Sequence, residues 1–247
     1  MTDTATATVG ASRHSSFAAL YLLLLRLLVT PMRVLAVLAL GSLEVFLGVL
    51  ARGDDDPLRA TTEFALAYGF GLVLPLATAW LATSSIGDLV EDRLLVYLWL
   101  KPVPRWQLPT AAVVAAVTIV VPLVAVPLLV TAVVAGTTEL LGSLVLASAL
   151  AVFAYAGVFV AVGLWLRRAL WWCLLYILVW ENGLARAVDG AARLSIASYA
   201  QSLVANAADV RIAYADRGSA ASIVVPLVVG VAGLVLAVIR YRRTEID

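Results

Sequence analysis

Two carboxylates in this chain stand where ionisable groups seldom do. Glu44 lies about halfway along an apolar stretch, Val34–Ala51, and Glu181 follows a second, shorter one that begins at Ala169. An ionised carboxylate at mid-bilayer is costly, so such a group faces other helices or a water-filled path. Two readings stand for Glu44: it lines a substrate path or binds a cationic group, or it stays protonated and hydrogen-bonds a neighbouring helix. The same pair stands for Glu181, where the following Asn182-Gly183 adds a plainer role in ending a helix. Trp180, beside it, is a candidate for stacking on a ligand along the same path. A third acidic group, Asp88, Glu91 and Asp92, occupies i, i+3 and i+4, which puts three carboxylates on one helical face.

Other chemistry has little to be built from. One histidine (His14) and one cysteine (Cys173) exclude an internal disulfide and leave no set for a structural zinc, a haem or a histidine-based acid–base site. An intramembrane protease or lipid transferase needs a Ser–His pair, a metal cluster or paired acids reaching one point; Glu44 and Glu181 could form such an acid pair, with no supporting nucleophile or metal ligand beside them. No Gly-x-x-x-x-Gly-Lys-Ser/Thr motif occurs, so no catalytic residue for nucleotide hydrolysis is expected on this chain. With a net charge of +1, nucleic acid is not indicated as a partner.

The elements that position these residues follow from composition. Of 247 residues, 63% are hydrophobic and 13% charged, and the mean hydropathy is +1.02. A soluble fold of this size cannot hide that much apolar surface, so the excess faces lipid. Spanning segments must then be helices of about 20 apolar residues. Six are expected, at about 34–51, 64–86, 107–136, 141–166, 169–185 and 219–239, with Pro122 and Pro127 as kink points in the third. Arginine and lysine asymmetry puts both termini inside, eleven basic residues against six. Residues 1–14 and 244–247 read as tails. The stretch 15–32 is too short and interrupted for an ordinary span; it reads as an interfacial helix whose Arg26 and Arg33 reach headgroups, with a tilted span as the alternative. Arg167 and Arg168, flanked by Trp165, Trp171 and Trp172, and Trp106 before the third span read as interfacial anchors. The external segment 186–218 carries Ile196, Tyr199, Leu203, Ala207 and Val210 at helical spacing, as an interfacial or re-entrant helix.

The cytoplasmic loop is the most informative piece. Ser84 or Ser85 can cap a new helix at about 87–101, Gly87 permits a bend, and Lys101-Pro102-Val103-Pro104-Arg105 stops it. Acids on one face and Leu94, Leu95, Leu98 and Trp99 on another make a surface suited to docking on another protein. Glu91–Trp106, E-D-R-L-L-V-Y-L-W-L-K-P-V-P-R-W, resembles the stretch after the second span in permease subunits of ABC-2-type transporters, through Glu91, Leu95, Tyr97, Leu98, Lys101, Pro102, Val103 and Arg105. The pair Arg93-Leu94 departs from that family's Gly-Thr, and Pro109 departs from the helix formers that follow its motif. The resemblance extends to the elbow helix before span one and to Leu175–Glu181. It implies an all-α polytopic permease, N-in and C-in, in the cytoplasmic membrane of a prokaryote, exporting substrate. Two copies would pair, each seating its coupling helix (Asp88, Glu91, Asp92, Arg93, Leu95, Tyr97, Leu98, Lys101, Pro102, Arg105) on a nucleotide-binding ATPase subunit that carries the ATP and magnesium. A carrier coupled to ions or protons through Glu44 and Glu181 is the alternative.

Overall fold

The computed structural model describes residues 3–91, 104–210 and 217–243. These residues are helical throughout, with no strand among them, and five helices are long and apolar enough to cross a membrane. Of the expected coupling helix, Asp88 and Glu91 fall on a described helical backbone. Asp92, Arg93, Leu95, Tyr97, Leu98, Lys101 and Pro102 lie outside the described residues.

Helix α1 runs Asp3–Leu28. Leu20, Leu24 and Leu28 recur every four residues and are buried, so one stripe of the helix seats on the bundle. Thr30 is extended and Pro31 opens α2, Pro31–Ala51, proline being tolerated at a first helical turn, where its missing N–H has no partner to lose. Arg33 reaches back to the carbonyl of Leu27 at 3.1 Å, a cation on the end of α1. Along α2 the buried residues are Val37, Gly41, Glu44, Gly48 and Ala51, an alternating four–three spacing that makes one seam. Leu35, Leu38, Phe46, Val49 and Leu50 point away and are exposed, as a lipid-facing surface requires.

The next rod begins with α3, Pro57–Phe64, capped by Asp56, which accepts from the Arg59 amide at 3.1 Å. It widens into a π-helical segment, Ala65–Val73, and continues as α4, Leu74–Glu91. This helix passes through Ser84, Ser85 and Gly87 without restarting. Ser85 is buried and its hydroxyl donates back to the Ala82 carbonyl at 2.6 Å, so it sits within a helix rather than capping a new one.

Helix α5, Gln107–Ala135, ends at Gly136, whose φ of 82° is the left-handed conformation that a helix C-terminus asks of glycine. At about 1.5 Å per residue it is about 43 Å long, well over the roughly 30 Å of hydrocarbon. Helix α1 clothes its first turns: Ser16 donates to Gln107 at 3.1 Å, Phe17 stacks on Trp106 at 6.4 Å and Tyr21 donates to Thr118 at 3.2 Å. The contact climbs eleven residues of α5, about 16 Å, so α1 is inclined along that helix.

After a short turn, Thr138–Leu140, comes α6, Leu141–Trp165. It packs along α11, Ser219–Arg243. Built onto Gly230, a Cβ would lie 2.5 Å from the Phe153 ring, and on Gly157 it would lie 2.4 Å from the Gly230 carbonyl oxygen. Glycine is required for this approach, and the order of contacts makes the two helices parallel. Between them in sequence lies a rod made of α7, Ala169–Leu175, a second π segment, Tyr176–Leu184, and α8, Ala185–Ala187. This rod is not among the five long apolar helices; Glu181, Asn182 and Arg186 lower its hydropathy. A short turn, α9 (Asp189–Ala192), and then α10, Ile196–Ala207, complete the bundle.

Candidate functional site

Of the two buried carboxylates, Glu44 lies against the first widened turn and Glu181 within the second. A π segment inserts an extra residue per turn and leaves backbone carbonyls without their usual donors, a feature common at functional positions. Here side-chain amides, one from α10 and one from within the second π segment itself, act as donors to such carbonyls. Gln201 of α10 donates to the Leu66 carbonyl at 2.8 Å. Asn182 donates to the carbonyl of Gly71 at 2.9 Å and to that of Ile177 at 3.0 Å, so one amide spans the two π segments. A Cβ on Gly71 would lie 2.5 Å from the guanidinium of Arg186, the far end of a flexible side chain that could swing aside. Asn182 therefore holds a helix open rather than ending it; the rod continues to Ala187.

Glu181 is buried and accepts from four donors on three elements. Its Oε1 takes the hydroxyl of Tyr155 from α6 at 2.9 Å, that of Tyr176 at 2.8 Å and the backbone N–H of Ile196 at 3.1 Å. Its Oε2 takes the hydroxyl of Ser195. Four donors match the acceptor capacity of an ionised carboxylate. The N-terminus of α10 contributes two of them and adds the positive end of its dipole. Ser195 also accepts from the Ser198 amide at 3.1 Å, the ordinary N-cap bond. Tyr155, fully buried, stacks on Phe159 at 5.3 Å, and Phe159 meets Tyr176 edge-on at 6.4 Å, so both hydroxyls are held by packed rings. The arrangement is a latch that fastens the segment before α10 into the spans.

Glu44 is the opposite case. It is 3% exposed and, among the described residues, neither carboxylate oxygen has a hydrogen-bond partner. It sits on the α2 seam between Gly41, where a Cβ would lie 2.5 Å from Pro127, and Gly48, where one would lie 2.7 Å from Thr131. Across from it is Gly69 of the first π segment; a Cβ there would lie 3.0 Å from Glu44 Oε1. The neighbouring Tyr68 hydroxyl is spent on the Leu40 carbonyl at 3.3 Å. No hydrogen bond joins Glu44 to Glu181 among the described residues, so the two do not form one carboxylate pair.

Trp180 is half-buried with an indole N–H that has no acceptor. Arg26, Arg167 and Arg168 are exposed, as are Trp106, Trp165, Trp171 and Trp172. Arg105 donates to the Arg242 carbonyl at 2.7 Å, bringing the start of α5 to the end of α11. The buried face of α10 differs from the expected stripe. Ile196 is on it, but Ala207 is exposed and Tyr199 and Leu203 only half-buried, while Ala197, Ser198, Ala200, Gln201, Ser202, Val204 and Ala205 face inward. Bulk apolar residues mark the wrong side because this helix packs through small ones, whose hydroxyls bond within the helix (Ser202 to the Ser198 carbonyl, 2.6 Å). Tyr155, Tyr176, Ser195, Asn182 and Gln201 were not legible as site residues; Ser195-Ile-Ala-Ser198, a cap-like start, is the one local signal among them. No protein-family model matches this chain, and no curated protein matches its sequence.

Proposed function

We propose that this chain is the membrane permease subunit of an ATP-driven ABC transporter. Six spans, counting the rod Ala169–Ala187, form the transport unit, with both termini and the 87–105 loop on the cytoplasmic side of a prokaryotic inner membrane. Two copies pair, and each seats its coupling helix on a separate nucleotide-binding subunit where ATP and magnesium act. Helix α1, inclined against the overlong start of α5, serves as the elbow. Export is the direction the family resemblance implies.

The observation that carries the reading is the proline-terminated stretch Glu91–Trp106, whose described end meets the basic C-terminus of α11 through Arg105. A force delivered at that loop reaches α5 and α11 directly, and through α6, packed along α11, the Glu181 latch. Substrate movement then requires the spans to exchange between two packed arrangements. The test is co-purification with the ATP-binding partner: Leu95→Asp and Leu98→Asp should abolish association while membrane insertion is retained. Association that survives both substitutions overturns the docking role.

One observation favours a second reading. Glu44 is buried with no hydrogen-bond partner, as a group that loads and releases a proton or cation would be. In proteoliposomes holding this chain alone, gradient-driven uptake lost in Glu44→Gln would establish a carrier without an ATPase; no uptake favours the permease.

A further inference from the structure

A cleft of about 120 Å3 lies between the start of α10 and the early turns of α11, with Ser195, a donor to Glu181, among its lining residues. Its floor is apolar, formed by Val225, Pro226 and Val229, and Arg193, Ser195 and Tyr199 stand along the other wall. Val225 and Val229 lie about 9 and 15 Å along α11 from its start at Ser219, so the floor runs from the bilayer boundary into the hydrocarbon.

Two arginines stand near this cleft: Arg193 lines it, and Arg217 reaches it through Tyr199, which does. Arg217, just before α11, has its guanidinium 5.7 Å from the centroid of the Tyr199 ring, within cation–π range. Its backbone is fixed to α10 by Asn206, which donates to the Arg217 carbonyl at 2.7 Å. Arg217 Nε is nevertheless buried and has no hydrogen-bond partner. Arg193 is exposed, its carbonyl taken by the Tyr199 hydroxyl at 2.8 Å. Among the described residues no carboxylate pairs with either guanidinium. Two arginines flanking one tyrosine, above an apolar trough that descends into the membrane, have the shape and charge of a receptor for an amphiphile. The guanidinium N–H groups suit phosphate oxygens, and the trough suits an acyl chain.

We propose that this cleft binds an anionic phospholipid, headgroup between Arg193 and Arg217 and one chain against Val225–Val229. Ser195 both lines the cleft and donates to Glu181, so the cleft adjoins the latch. The site needs no ATPase partner and stands or falls separately from the transporter reading.

The full chain, purified in neutral detergent, is titrated with a fluorescent short-chain phosphatidylglycerol, the matching phosphatidylcholine, and inorganic phosphate as competitor. Phosphatidylglycerol should bind about tenfold more tightly than phosphatidylcholine, and the doubly substituted Arg193→Gln, Arg217→Gln chain should lose that factor. Arg193→Gln alone, at an exposed position that folding tolerates, should lose part of it, and Arg193→Lys should keep most. Val229→Trp, which fills the trough, should weaken phosphatidylglycerol binding with both arginines intact. Arg52→Gln with Arg59→Gln, arginines outside the cleft, should change nothing. Equal affinity for the two lipids, undiminished binding in the arginine variants, or displacement by phosphate as effective as by phosphatidylglycerol would each overturn the proposal. The last would reduce the site to one for a free anion.

Discussion

Glu181 and Glu44 are the same side chain in opposite circumstances, and their substitution should separate the two. Glu181→Gln replaces an acceptor of four hydrogen bonds by a group with two donors of its own, leaving buried hydroxyls of Tyr155 or Ser195 unmatched. Losing a buried, charge-assisted network costs about 3–5 kcal/mol, so thermal unfolding in detergent should show a large fall in Tm. Tyr155→Phe removes one such bond and should cost about 1.5–3 kcal/mol in the same assay. Glu44→Leu removes an orphaned buried carboxyl and breaks no hydrogen bond. Its stability should hold or rise; a loss above about 1 kcal/mol would mean that Glu44 has a partner in the membrane. Both carboxylates were legible in the sequence as anomalies within apolar runs. What distinguishes them was not, because the four donors to Glu181 come from positions 155, 176, 195 and 196, which nothing in local spacing connects.

At the level of elements, hydropathy marks where the long apolar helices run, and their lipid-facing and buried sides follow from the helical repeat. The two π segments escape such a reading, since one extra residue in a turn leaves no mark in an apolar run such as Ala65–Val73. Amide side chains elsewhere hold those turns. Gln201→Ala should free the Leu66 carbonyl at a cost of about 1–3 kcal/mol, with faster hydrogen exchange confined to residues 65–73. The α6–α11 contact gives a sharper contrast. Gly157→Ala would press a methyl against the Gly230 backbone and should destabilise by about 1–3 kcal/mol. Gly142→Ala, in the same helix with open space around it, should be neutral or stabilising by up to about 1 kcal/mol. Circular dichroism melts of the two variants provide the comparison. Helix α10 shows the limit of hydrophobic patterning: its inner face is alanine and serine, and chain composition alone points to the other side.

For the molecule as a whole, parallel α6 and α11 and the Arg105–Arg242 contact place the start of α5 and the ends of α6 and α11 at one pole, with Arg217 at the other. From the arginine asymmetry we propose that the first pole is the cytoplasmic one. Cys173 is buried, so in a Cys173→Ala background a single cysteine at Asp54 should react with an impermeant maleimide added to intact cells. One at Arg243 should react only after permeabilisation; the reverse pattern would invert the orientation. The resemblance that points to a transporter rests on a loop mostly outside the described residues, whereas the chemistry that organises the bundle lies in the spans.

Asn182 grips carbonyls belonging to two different rods with a single NH2 group. Sliding either widened turn along its helix by one position would rotate everything past it by about 100°, and the shared amide would have to release one backbone to follow the other. The two rods are thereby coupled: rewinding one while its neighbour stays still forfeits a shared bond worth about 0.5–1.5 kcal/mol.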